Sequence, residues 1–152
     1  MKKVLFVASI TGHIRAFHVP SLENFKNSGY VVDVASNGDA EVAFCDRRHQ
    51  IEFQRSPLKA DNIKAYRRLK ELINKEKYEI IHCHTPVAAM ITRLAARKAR
   101  KKYGTKVIYT AHGFHFFKGA PLLNWLIYFP IEWVCSIFTD VLININKEDY
   151  AV

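Results

Sequence analysis

Cysteine is scarce in this chain. Of 152 residues only Cys45, Cys83 and Cys135 carry thiols, and no two are spaced as C-x-x-C. An odd, scattered set builds neither a disulfide framework nor a cysteine-based zinc site, and it fits a reducing cytosol. Six glycines and five prolines are too few for a collagen-like or low-complexity chain. No stretch reaches the ~20 apolar residues of a membrane span. The richest, Leu122 to Phe138, is interrupted by Asn124, Pro130 and Glu132. The run from Val4 to Ile10 has the look of a signal-peptide core, but Thr11-Gly12-His13 follows in place of a cleavage site. It reads as a buried first strand. Acidic residues are outnumbered as well, 14 against 23 basic, and the net charge of +9 favours an anionic partner.

What is present is enough apolar material for a core. Apolar residues make up 49% of the chain and aromatics 12%, which excludes disorder and fits a single domain. Short β-rich runs alternate with helical patterns. Strands are expected at Val4–Ser9, Tyr30–Ala35, Ile51–Gln54, Ile80–His84, Lys106–Thr110 and Asp140–Ile145. Helices are expected at Phe17–Ser28, about Asp61–Lys75, Thr85–Tyr103 with a Thr85 hydroxyl cap, and Pro121–Phe138 as a buried core helix. Strands alternating with helices imply crossover connections, and hence an α/β, Rossmann-like, doubly wound, mostly parallel sheet.

Polar residues, histidines and glycines gather where these strands end: Thr11-Gly12-His13, Asn37-Gly38, His82-Cys83-His84-Thr85, Thr110-Ala111-His112-Gly113 and Asn144-Ile145-Asn146. Open α/β sheets bind ligands at this edge. Gly12 lets the backbone approach a phosphate, and Gly113 leaves room beside His112, whose imidazole suits a sugar hydroxyl or acid–base work. No G-x-G-x-x-G, Walker A motif or G-x-S-x-G elbow is present, which disfavours nicotinamide, P-loop and hydrolase chemistry. His82 and His84 share one strand face, but a metal would need a third ligand from elsewhere, so no metal site is expected.

The basic stretch of Arg93, Arg97, Lys98, Arg100, Lys101, Lys102 and Lys106 is expected to face outward. It reads as a solvated face or, through Arg93, Arg97 and Lys101, as a contact with anionic lipid headgroups. No nucleic-acid reader motif accompanies it. The 17 residues from Leu122 to Phe138, with two Trp and a Tyr, also suit a water–lipid interface. Asn146 is a good helix cap, followed by Glu148 and Asp149. The helix it opens stops at Val152, so residues 1–152 are expected to be one domain of a longer protein.

Taken together, Lys3-Val4-Leu5-Phe6-Val7, Thr11-Gly12-His13, Ile81-His82-Cys83-His84-Thr85 and Thr110-Ala111-His112-Gly113 resemble the N-terminal half of a family-4-type GT-B glycosyltransferase. Gly119-Ala120-Pro121-Leu122-Leu123-Asn124 and the segment from Thr139 to Asp149 are similar to bacterial capsular and exopolysaccharide members. The resemblance implies two Rossmann-like domains facing a cleft, with the C-terminal, donor-binding domain outside this chain. It implies that His112 is catalytic and meets the donor sugar, and that Gly12 lies near the donor diphosphate. His13, His84, Gly113 and Asn146 would line the substrate cleft. The implied reaction is metal-independent and cofactor-free: retaining transfer from a nucleotide-sugar donor to a lipid-linked saccharide. The implied place is the cytoplasm, peripheral on the inner face of the bacterial cell membrane. Glu71 and Glu79 match the spacing of the family's donor glutamates, but they fall on a helix and at the wrong sheet edge. Three alternatives stand beside this reading. They are a non-catalytic, membrane-docking acceptor-binding subunit of a split transferase, a nucleotide-sugar epimerase of the same architecture, and a basic nucleic-acid-binding module.

Overall fold

A computed structural model describes residues 1–151. Six parallel strands form one sheet in the order β3-β2-β1-β4-β5-β6. In chain order the elements are β1 (Lys3–Ile10), α1 (Thr11–Phe17), α2 (Val19–Asn27), β2 (Val31–Asn37), β3 (Arg47–Gln50), α3 (Asn62–Glu76) and β4 (Ile80–His84). They continue with α4 (Pro86–Ala95), α5 (Arg97–Tyr103), β5 (Lys106–Ala111), α6 (Leu122–Ser136), β6 (Val141–Asn144) and α7 (Lys147–Tyr150). β1 and β4 are central, and each is covered on both faces. This is why their runs are continuously apolar rather than alternating. Val4, Phe6 and Ala8 pack with Ile14 and Leu22 on one side. Leu5, Val7, Ile81 and Cys83 pack with Leu69, Ile73 and Ala88 on the other. Chain direction across the sheet reverses between β1 and β4, and that junction is the topological switch point.

Several expectations need correction. The third strand is Arg47–Gln50, not Ile51–Gln54. It is an edge strand recruited by main-chain pairing to β2 and by Arg47, whose guanidinium donates to both oxygens of the buried Asp33 carboxylate at 3.0 and 2.7 Å. Ile51 and Phe53 are buried loop residues, so their apolarity marks burial and not a strand. Thr11-Gly12-His13, beyond the end of the first strand, forms the first turn of α1, and Phe17–Ser28 is broken at His18. Pro20, in the first turn of α2, has no N–H to continue the α1 ladder. Thr85–Tyr103 is likewise two helices, although Ala96 N–H to Thr92 O and Arg100 N–H to Ala96 O carry the ladder across the break.

The outward orientation of Arg93 is also overturned. Its residue exposure is 1%, its guanidinium forks onto Glu132 at 2.8 and 2.9 Å, and its Cζ lies 4.3 Å from the Tyr109 ring centre. Arg93 therefore joins α4 to α6 and faces no solvent. Finally, α6 is not a core helix. Cys135 is its one fully buried residue, and Leu122, Leu126 and Trp133 are 73%, 65% and 67% exposed.

Candidate active site

Five imidazoles meet at the switch point. His82 and His84 project from β4 to the α1/α2 side of the sheet, where Phe6 stacks on His84 with ring centres 6.1 Å apart. His13 rises from the first turns of α1, and His18 sits at the joint with α2. His112 follows β5 directly, ahead of Gly113 at φ +122°. His18 and His84 stack with centres 3.6 Å apart, and His13 meets His112 edge-on at 4.5 Å. His112 Nε2 and His84 Nδ1 are 3.4 Å apart, while His82 Nε2 shares a 2.8 Å hydrogen bond with the Thr110 hydroxyl.

The three separated sequence positions His13, His84 and His112 thus share one rim. His18 was missed by sequence reasoning. Its signal was available in the spacing of five from His13, but the joint that turns it inward was not.

Burial in this crowd favours neutral rings. Desolvation, reinforced by His112, pushes His13 down to about 4. Desolvation with the neighbouring imidazoles pushes His18 down to about 3. His82 falls to about 4 for the same two reasons, desolvation and His112. His84 is lowered by desolvation and then by His82, His18, His112 and His13, and His112 is lowered by desolvation. A neutral imidazole offers one donor and one acceptor, the complement of a sugar hydroxyl. Rings held neutral at fixed positions serve as hydrogen-bonding and polarising groups rather than as proton donors at pH 7.

The backbone around the cluster is unusual. Thr85 adopts φ +63°, ψ 140°, a conformation a β-branched residue rarely takes. Its hydroxyl does not cap α4 as the sequence suggested. It accepts from Ser9 N–H at 3.0 Å and shares a 2.8 Å bond with the Ser9 hydroxyl, tying the ends of β1 and β4 together. Strain of this kind clusters at functional sites. Gly12 is exposed in the first turn of α1, where an added Cβ meets nothing closer than Ile10 Cδ1 at 4.0 Å. Protein packing does not require glycine there, so the open backbone is available to a ligand.

Asn146 is occupied otherwise: its amide oxygen accepts from Asp149 N–H at 2.7 Å and its amide nitrogen donates to Asp149 Oδ2 at 2.8 Å. Asp149 in turn accepts from Phe114 N–H at 3.2 Å, which anchors the loop after His112. Arg97 and Lys101 lie elsewhere. They line a groove of about 470 Å³ with Lys70, Lys98, Leu94 and Phe138, near the amino-terminal ends of the strands. Glu71 lies within α3, and Glu79 precedes β4 at that same amino-terminal edge.

A doubly wound parallel sheet with its polar crevice at the switch point defines a Rossmann-like ligand-binding domain, and comparison with known proteins gives its family. The model of the family "Glycosyl transferase 4-like" matches residues 3–146. The chain belongs to that family. It is 51% identical over 149 residues to the Bacillus subtilis (strain 168) protein "Putative glycosyltransferase EpsD", covering 98% of this chain and 39% of that one. It is 33% identical over 84 residues to the Escherichia coli UDP-Gal:alpha-D-GlcNAc-diphosphoundecaprenol alpha-1,3-galactosyltransferase, over 55% of this chain and 21% of that one. The chain therefore spans well under half the length of these relatives. Among solved structures, Acinetobacter baumannii MurG superposes with a TM-score of 0.65 at 15% identity, over 97% of this chain and 43% of that one, a likeness of fold.

Proposed function

We propose that this chain is the acceptor-side part of a retaining glycosyltransferase, which moves a sugar from a nucleotide-sugar donor to a lipid-linked saccharide in capsular or exopolysaccharide synthesis. The observation that carries this reading is the convergence of neutral imidazoles at the switch point of a family-4-like domain. The E. coli relative, by its name, uses UDP-Gal and a diphosphoundecaprenol-linked acceptor, which supports the same substrate classes here.

In this reading His112 meets the reacting sugar. His13 and His84 hold acceptor hydroxyls, Gly113 gives the sugar room, and the bare backbone at Gly12 receives the donor diphosphate. Asn146 acts at one remove, by capping the helix that anchors the His112 loop. Charge on the leaving diphosphate is stabilised by donors and positive groups aimed at it, most of them on the donor-binding domain.

The lipid-linked acceptor calls for a membrane contact, and the chosen partner is an anionic bilayer. No helix among the described residues is long and apolar enough to cross one. A peripheral contact on the cytoplasmic face fits two features instead. Arg97, Lys98 and Lys101 border an apolar-floored groove, and each basic residue contributes ~1 kcal/mol near anionic lipid. Ile137, at the end of the exposed apolar face of α6, lines that same groove.

The test uses the full-length protein with UDP-sugars and a polyprenyl-diphosphate-linked saccharide in vesicles containing anionic lipid. Sugar transfer is expected. Arg97→Glu with Lys101→Glu should weaken vesicle binding at least ~10-fold, as reversal of two charges worth ~1 kcal/mol each requires, while sparing transfer to a water-soluble acceptor. No transfer with any nucleotide-sugar would overturn the enzymatic reading. Unchanged vesicle binding would overturn the docking surface.

A further inference from the structure

The histidine cluster has a property that sugar binding does not use. One nitrogen from each of His13, His18, His84 and His112 lies within 4.8 Å of the other three. We propose that these four imidazoles form a binding site for a divalent transition-metal cation, with zinc the ion they fit best.

The geometry is close to what such an ion needs. Zn–N bonds of about 2.0–2.1 Å in a tetrahedron set the nitrogens roughly 3.4 Å apart. His112 Nε2 and His84 Nδ1 already stand at 3.4 Å. His13 is edge-on to His112 beside them, and His18 joins by turning out of its stack on His84. The remaining distances close by an ångström or so, within the reach of rings on side-chain hinges.

A second observation points the same way. The Nε2 atoms of His13 and His18 are shielded from solvent and have no hydrogen-bond partner among the described residues. A buried nitrogen left unpaired costs about 1–3 kcal/mol. One shared cation satisfies both such atoms at once.

The donor set selects the metal. All four ligands are imidazoles, which suit Zn, Ni, Cu and Co and reject the oxygen-seeking Mg and Ca. The ligands come from α1, the α1/α2 joint, β4 and the loop after β5. An ion held there fastens the helix hinge to the His112 loop. Since His112 is a ligand, metal and sugar compete for its Nε2. The site itself stands independently of the sugar-transfer reading.

The experiment is a binding titration of chelator-treated protein. Zinc chloride is added in a calorimeter, and cobalt(II) chloride is followed by its visible absorption. One equivalent of zinc should bind with a Kd on the order of 1 μM or tighter, and cobalt should develop the intense bands of tetrahedral coordination. Magnesium should give no heat. His13→Gln and His112→Gln should each weaken zinc by at least ~10-fold, given that even outer partners of metal ligands cost 10–100-fold. His115→Gln, on an exposed loop residue, should not change it. Circular dichroism confirms that each variant is folded, and zinc should raise the wild-type Tm. Absence of saturable binding overturns the site. So does tight binding that ignores both His13→Gln and His112→Gln, because the ion then sits elsewhere.

Discussion

Glu132→Ala is expected to lower the free energy of unfolding by about 3–5 kcal/mol, the usual cost of leaving one member of a buried ion pair alone. Arg93 has no route to water: its side chain is 1% exposed. Two of its nitrogens donate to Glu132, and Nε donates to the Ala89 carbonyl at 3.1 Å. Alanine at 132 removes both strong acceptors while the guanidinium stays buried between α4, α6 and the Tyr109 ring. The double variant Arg93→Leu/Glu132→Leu should recover most of the loss, since apolar replacements of a buried pair are often neutral. Urea unfolding at pH 7 measures both. A loss below about 1 kcal/mol for Glu132→Ala, the range of surface pairs, would show that Arg93 finds solvent after all.

Metal-free protein should also lose stability steeply as pH falls from 6.5 toward 4. Unfolded imidazoles take up protons near pH 6.5. In the folded chain desolvation holds His13 and His82 down to about 4 and His18 to about 3. Between these limits the unfolded state binds more protons, so stability falls as pH falls, by about 1.4 kcal/mol per pH unit for each histidine at full effect. His13 and His18 are only partly desolvated, and screening reduces their share. A net loss of about 2 kcal/mol per pH unit between pH 6 and 5 is expected, with little change from pH 7 to 8. Urea midpoints at pH 8, 7, 6 and 5 follow it, and a flat profile to pH 5 would mean that the rings are solvated.

The sequence pattern carried the central sheet well and its margins poorly. The runs of β1, β4 and β5 are apolar because both their faces are covered, and burial of that kind is visible in composition. Arg47-Arg48-His49-Gln50 is polar throughout, and it is a strand only because β2 offers it a ladder and Asp33 holds Arg47. Polarity alone likewise placed Arg93 at the surface, when its position is decided by a carboxylate 39 residues away in sequence. The α6 face was misread in the opposite direction: it is as apolar as a core helix, yet largely exposed. At the site, His13, His84 and His112 could be assigned to strand ends, which places them on one rim by topology. His18 could not, because its inward turn depends on the break before Pro20. Asn146 was recognised as a cap and carries that role through Asp149 to the loop of His112.

The proposed role of His112, acting on the sugar being moved, requires that its removal slow transfer itself. The direct measurement is the turnover of His112→Ala in the full-length protein, freed of metal by chelation and saturated with donor and lipid-linked acceptor. A fall in kcat of about 100-fold or more is expected from a folded variant, the usual contribution of a positioned acid–base or polarising side chain. A kcat within about twofold of wild type would contradict it, since general acid–base groups are worth far more than that.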